Sequence, residues 1–207
     1  LNCGCIPSKA LLKAGEALHS AKNLKKYGME GEFTLNFSDP MQVVRDKTHA
    51  INDKKFQKAF ERATMVKGEA EFLDDRTVQV GGESYTAKKI FIATGTEPFV
   101  PPIPGLSDVP DILTNMNMFE IEKMPESLAI IGGGAIGSEM AQAFSRLGTK
   151  VSLAHMDPHL VPAGDEEAGR LLEEVFAGEG IEVRNGAKIT SVSVKDGRIV
   201  TVTDKGT

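Results

Sequence analysis

No apolar run in the sequence approaches the roughly 18 residues that a bilayer-spanning helix needs, so no segment reads as a transmembrane helix. Positive charge is not in excess: 24 Lys and Arg stand against 29 Asp and Glu, a formal charge of −5. Nothing basic is concentrated enough to follow a phosphate backbone, which argues against nucleic acid and anionic membranes as partners. Cysteine is scarce. The two residues, Cys3 and Cys5, crowd one end of the chain, a usage that suits a cytosolic redox or metal site and does not build a secreted disulfide scaffold. A cytoplasmic protein is expected. The first residues, polar and glycine-bearing, do not read as a signal peptide, and short-period repeats and low-complexity segments are absent.

What is present has a globular balance. Of 207 residues 41% are apolar and 26% charged, enough for one large core or two small ones. Leu1-Asn2-Cys3-Gly4-Cys5 opens inside a Gly/Cys-rich turn, and Thr203 to Thr207 follows a strand-like alternation. The chain is therefore expected to be an internal portion of something longer. Leu11, Ala14, Leu18, Ala21 and Leu24 recur at three and four, predicting an amphipathic helix over 7–27 with Pro7 and Ser8 in its first turn. A second helix is expected over 40–63, capped by Ser38 or Asp39, with Met41, Val44, Ile51 and Phe60 facing inward. The period then changes, and strands are expected over 65–72, 77–80 and 89–93, with turns at Asp74-Asp75 and Gly81-Gly82. Pro98, Pro101, Pro102, Pro104 and Pro110 form a stiff connector, which places a domain boundary near residue 98.

Beyond the prolines, strands at 128–131, 150–154, 181–184 and 188–194 alternate with helices at 135–147 and 166–177. A last strand, 198–203, returns from a hairpin turn at Asp196-Gly197. Strands alternating with helices predict an α/β fold with a parallel sheet covered by helices.

Gly132-Gly133-Gly134-Ala135-Ile136-Gly137 contains Gly-x-Gly-x-x-Gly, a weak pattern alone. Here it follows the apolar run Leu128-Ala129-Ile130-Ile131 and opens a helix, the context that dinucleotide binding requires. Gly132 permits the tight turn, Gly134 lets the backbone approach a pyrophosphate, and Gly137 lets helix pack on strand. The helix amino terminus adds free N–H groups and partial positive charge for the phosphates. The competing reading is a glycine-rich turn without a ligand. An acid that accepts the adenine ribose hydroxyls is due about 20 residues on, at the end of the next strand. That strand ends Ala154-His155-Met156, with Asp157 beyond. His155 is either a donor to a phosphate or a loop histidine, so NAD and NADP both stay open.

Cys5 precedes a helix that continues Ile6-Pro7-Ser8-Lys9. The helix dipole and Lys9, one turn in, favour a reactive thiolate at Cys5; the alternative is a buried structural cysteine. This segment, Leu1 to Leu12, resembles the active-site segment of the class I pyridine nucleotide–disulfide oxidoreductases, the family of dihydrolipoamide dehydrogenase, mercuric reductase and glutathione reductase. Their pattern is Cys-x-x-x-x-Cys-x-Pro, in which Cys5 matches the second cysteine, the one beside the flavin. The first would precede Leu1, and Cys3 falls where the family is usually apolar. Gly68 to Phe72 is similar to the family's strand that meets the FAD adenine, at Ala70. Ile90-Phe91-Ile92-Ala93-Thr94-Gly95 followed by Pro98 resembles its second FAD motif, with Ala93, Thr94 and Gly95 in the binding positions. Gly132 to Gly137 with Glu139 resembles its NAD(P) motif, in which the Glu lies near the nicotinamide and pairs with the lysine matching Lys9. Ile189 falls where the family meets the adenine end of that nucleotide, and His155 stands where its NAD-dependent members have an acid.

The resemblance implies two Rossmann-like, doubly wound nucleotide-binding domains. One is an FAD domain over 1–98, incomplete at its amino end; the other is an NAD(P) domain over 99–207, truncated at its carboxy end. It implies a homodimeric flavoenzyme that passes two electrons between NAD(P)H, FAD and a cysteine disulfide, with Cys5, Lys9 and Glu139 as catalytic residues. Pro7-Ser8-Lys9 leans toward the dihydrolipoamide dehydrogenase and mercuric reductase branches. The substrate is a small disulfide or dithiol, or a metal ion. Two other readings compete: a nucleotide-binding module without redox activity, and a metal site at Cys3 and Cys5. The second has little support, because His19, His49, His155 and His159 show no ligand spacing with the cysteines or each other.

Overall fold

The computed structural model describes residues 4–51, 58 and 61–206. The chain divides into two compact units, Leu1–His49 with Val100–Thr207, and Ala50–Phe99. The packing boundary thus falls beside the proline connector, while residues 1–49 share their core with 100–207.

In the larger unit, α1 (Cys5–Lys22) buries Pro7, Ser8, Ala10, Leu11 and Gly15. The helix predicted to reach residue 27 stops earlier. Asn23 Nδ2 donates to the His19 carbonyl at 2.8 Å, and a short 3₁₀ turn, Leu24–Tyr27, ends at Gly28 with φ +76°. An Asn that satisfies the last carbonyls competes with helix continuation. α2 (Ser38–Ile51) begins two residues before the expected start and carries Asp39 in its first turn. Met41 and Val44 are buried as the periodicity requires. Phe60, expected on the same face, lies outside the described residues, and residues 61–63 are turns.

A βαβαβ unit follows, made of β4 (Ser127–Ile131), α3 (Ala135–Leu147), β5 (Lys150–Ala154), α4 (Glu166–Gly178) and β6 (Glu182–Arg184). The strands are parallel in the order β4-β5-β6, with Ser127 opposite Lys150 and Ser152 opposite Glu182. Met140, Ala141, Phe144 and Leu147 are buried at helical spacing on α3. They share one core with Leu11 of α1, Met41 and Val44 of α2, and Val151 and Leu153 of β5. Gly148, at φ +111°, ends α3 and turns the chain into β5. The Asp165 carboxylate accepts from Glu167 N at 2.9 Å and caps α4.

Last comes the antiparallel hairpin β7 (Ile189–Lys195) and β8 (Arg198–Thr203). Its two-residue turn, Asp196 at φ +51° and Gly197 at φ +72°, has the left-handed pair that Asp-Gly hairpins favour. Leu106, Val109, Ile189 and Val192 form a second, small core under it. The proline segment straps this hairpin: Val192 N donates to the Pro104 carbonyl at 2.9 Å.

The smaller unit is an antiparallel meander of β1 (Ala70–Phe72), β2 (Thr77–Val80) and β3 (Glu83–Thr86). β2 has the predicted bounds, but β1 is shorter than expected and β3 is an additional strand. The reason is Gly81 and Gly82, both at positive φ. They close a two-residue hairpin and pair Glu83–Thr86 onto β2 whatever its own pattern. The strand expected over 89–93 forms no ladder, leaving Phe91 87% and Ile92 74% exposed. Its apolar run carries strand propensity, yet a strand exists only when a neighbour pairs with it. The whole is a mixed α/β fold.

One polar cluster ties α3 to the end of α4. Arg146 donates to Glu179 through Nε at 2.9 Å and Nη2 at 2.6 Å, and Gln142 adds a third bond at 3.2 Å. Both charged side chains are mostly buried, so removing one strands the other. Glu179→Ala is expected to cost about 2–3 kcal/mol of stability, measured by denaturant unfolding; a loss under about 0.5 kcal/mol would place the pair among surface contacts.

Candidate functional site

The site is built where β4 hands over to α3. Gly132 leaves the sheet at φ +104°, a conformation that L side chains rarely adopt, while its N–H still donates to the Ala154 carbonyl at 2.9 Å. At Gly133 a Cβ would come within 2.8 Å of both the His155 ring and Leu160. Its carbonyl is held from two sides, by Val161 N at 2.7 Å and Ser138 Oγ at 3.2 Å. Gly137 lies so close to the strand end that a Cβ would stand 2.0 Å from the Gly132 oxygen. Gly134 is different: nothing lies within 4 Å of where its Cβ would be. The first N–H groups of α3, at Ala135, Ile136 and Gly137, have no acceptor within their own helix. An occupied Gly133 carbonyl, helix N–H groups without intrahelical acceptors and an open face at Gly134 fit the pyrophosphate of a dinucleotide.

α1 lies against α3 along its length. Lys9 Nζ donates to Glu139 Oε1 as an ion pair across 130 positions of sequence, the pairing that the resemblance implies. Farther along, a Cβ on Gly15 would meet the Ala143 carbonyl at 3.2 Å and Arg146 Cβ at 3.3 Å. The partner numbers rise together, so the two helices run in the same direction. Carried back one turn, the offset of 130 sets Cys5 level with Ala135. Cys5 is the first residue of α1 and is exposed in this chain. The thiol and the glycine turn therefore stand at one end of a parallel helix pair, each at a helix amino terminus.

His155 stands in the loop just past β5. It is buried, and its Nε2 lies 2.9 Å from Asn185 Oδ1. Ile189 opens β7 inside the small core. Ala70 opens β1 in the other unit, and Ala93, Thr94 and Gly95 belong to the segment there without regular structure, with Gly95 at φ +80°. Cys3 lies outside the described residues, and among the described residues no group of His, Cys, Asp and Glu could hold a metal ion.

Sequence reasoning missed the loop after β5. Leu160 is fully buried against Gly133, and Val161 binds the Gly133 carbonyl at φ +50°, a rare conformation for a β-branched residue. No spacing rule marks such residues, because what selects them is contact with a turn some 28 positions earlier.

The family model described as pyridine nucleotide-disulphide oxidoreductase matches residues 1–207. The chain belongs to this family. Mercuric reductase of Staphylococcus aureus is 34% identical over 197 residues, covering 93% of this chain and 36% of its own length. Dihydrolipoyl dehydrogenase of Thermus scotoductus is 34% identical over 205 residues, covering 94% of this chain and 42% of its own length. The chain thus spans less than half of these relatives. In fold it is similar to the HOCl-induced flavoprotein disulfide reductase RclA from Escherichia coli, with a TM-score of 0.76 at 24% identity over 98% of this chain and 44% of that one. LpdA from Mycobacterium tuberculosis gives a TM-score of 0.77 at 22% identity, over 98% and 46%. These last two likenesses speak to the fold alone.

For this pyridine nucleotide-disulphide oxidoreductase chain, two glycines separate folding from binding. Gly137→Ala drives a methyl into the Gly132 carbonyl and is expected to cost about 3 kcal/mol. Gly134→Ala, at φ −71° with open space around it, should leave stability within about 0.5 kcal/mol. It should still weaken dinucleotide binding roughly tenfold or more, by blocking the approach of the backbone. Unfolding curves beside calorimetric titration separate the two effects; unchanged affinity in Gly134→Ala would remove the pyrophosphate from this turn.

Proposed function

We propose that this chain is the central portion of an FAD-dependent disulfide oxidoreductase that passes two electrons between NAD(P)H, flavin and a cysteine disulfide. The observation that supports this reading is the parallel α1–α3 pair, spanned by Lys9 and Glu139, with an exposed thiol and a glycine turn at the same end. A nucleotide-binding module without redox activity has no use for that alignment.

In this reading the flavin, when bound, supplies the two-electron relay between the nicotinamide and the sulfur pair. The chain's own residues orient and hold. The Gly132–Gly137 turn, with Ala135 and Ile136, holds the pyrophosphate of the nicotinamide nucleotide. Glu139, one turn into the same helix, stands at the nicotinamide end and anchors Lys9. Cys5 is one half of the redox pair, and its partner is the cysteine that precedes Leu1 in the family pattern. Reduction opens the disulfide to two thiols at the expense of one hydride and one proton; oxidation runs the same balance backwards. Ala70 and Ala93, Thr94 and Gly95 serve the FAD, and Ile189 the adenine end of the nicotinamide nucleotide. The domain division that goes with this function is 1–98 for the flavin and 99–207 for NAD(P).

The substrate belongs to the range set by the relatives' names: a dithiol such as dihydrolipoamide, a mercuric ion, or another small disulfide. Pro7-Ser8-Lys9 favours the first two. A cytoplasmic homodimer is the expected setting, and no helix among the described residues is long and apolar enough to cross a membrane.

The intact protein that contains this chain is expected to be yellow and to develop a long-wavelength thiolate–flavin absorbance on two-electron reduction. Cys5→Ser should abolish that band while leaving the flavin bound, read by absorbance during anaerobic titration. Survival of the band in Cys5→Ser would exclude Cys5 as the thiol at the flavin.

A further inference from the structure

We infer that Glu173, in the middle of α4, is a positioning residue for the glycine turn: it holds the Leu160–Val161 pair against Gly133 and so sets the affinity for the dinucleotide. This rests on the nucleotide reading above and deepens it, by adding a residue that acts through a loop and not on the ligand.

Leu160 is fully buried, and a backbone amide in such a place needs an acceptor. α4 supplies it: Leu160 N donates to Glu173 Oε1 at 2.9 Å. The Glu173 side chain is half-buried. Arg170, about one turn before it, is engaged instead by Glu166, to which it donates through Nε at 3.0 Å and Nη2 at 2.7 Å. Four residues ahead of Glu173, on the same face of the helix, Gly169 makes room for the loop. A Cβ there would stand 2.4 Å from the Leu160 carbonyl oxygen and 2.7 Å from His159 Nδ1. Leu160 is thus seated on α4 by both ends of its backbone.

The other side of the pair meets the turn. The Leu160 side chain comes within 2.8 Å of where a Cβ on Gly133 would be, and Val161 N donates to the Gly133 carbonyl at 2.7 Å. Consecutive amides therefore bind different elements, one α4 and the next the glycine turn. Val161 does so at φ +50°, a conformation that a β-branched residue keeps only where its surroundings hold it. Gly164 N, donating to the Val161 carbonyl at 2.8 Å, is a hold from within the loop. Glu173 adds one from outside it.

Without that acceptor the Leu160 amide has to move toward water, and Val161, next in the chain, moves with it. The Gly133 carbonyl then loses its backbone donor. The turn is loosened before any ligand arrives, so the loss is read as affinity.

The experiment is calorimetric titration of the intact protein and its variants with ADP-ribose, which carries the pyrophosphate but no nicotinamide. Each variant is first shown to be folded by its unfolding curve. Glu173→Ala is expected to weaken ADP-ribose binding roughly tenfold. Glu173→Gln, whose side-chain carbonyl still accepts from Leu160 N, should stay within about threefold of the unaltered protein. A role in stability alone would lower the unfolding midpoint of Glu173→Ala and leave the affinity of the folded protein within about twofold; that result would overturn the inference. So would equal losses in Glu173→Ala and Glu173→Gln, which would make the charge and not the hydrogen bond the cause. Should Glu173→Ala fail to fold, Glu173→Asp, one methylene short of the Leu160 amide, carries the same comparison. If the unaltered folded protein binds no ADP-ribose, the nucleotide reading itself falls; if it binds and Glu173→Ala binds equally well, this inference falls alone.

Discussion

The contact between α1 and α3 is the constraint on which the rest depends. Two helices approach this closely only when one presents no side chain at the crossing, and Gly15 against the Ala143 carbonyl meets that condition. The shared core of Leu11, Ala10, Phe144 and Leu147 supplies the burial. That packing fixes the register along the axis, and the Lys9–Glu139 pair spans the two helices in that register. Exposed ion pairs contribute little to stability, so its importance here is positional. It marks which residue of one helix stands beside which residue of the other, in an arrangement where the thiol and the glycine turn share an end.

The glycine turn depends on that arrangement and adds a second layer. The Gly133 carbonyl is occupied by Val161 N and Ser138 Oγ, and the Gly134 carbonyl by Ser138 N at 2.9 Å in the first turn of α3. The loop after β5 is thus as much a part of the turn as the glycines are. His155 and Leu160 fill the floor, and Val161 accepts an unfavourable backbone conformation to complete it.

Much of the fold was legible in advance. α3, β2, β5 and β8 have the bounds that the periodicity predicted, because each is closed locally by a glycine, a two-residue turn or a cap. The errors have the opposite character. The end of α1 was set by a side chain bonding back to its own helix at Asn23. β3 was set by its partner across the Gly81-Gly82 turn, and the expected strand at 89–93 has strand-forming residues without a partner. Each of these depends on what lies beside a segment, which periodicity within the segment does not carry.

The sequence alone determined the chemistry on offer. It holds a thiol opening a helix, a lysine one turn on, a glycine turn between an apolar strand and a helix, and the family to which those motifs belong. These follow from spacing along one element, where geometry is set by covalent connection. Only the tertiary structure decided how the pieces combine. It brought Lys9 to Glu139 across 130 positions, ran α1 and α3 in the same direction, and turned His155 inward beneath Gly133 while leaving Asp157 at the surface. Burial and register between distant segments are fixed by packing, which a one-dimensional pattern does not encode.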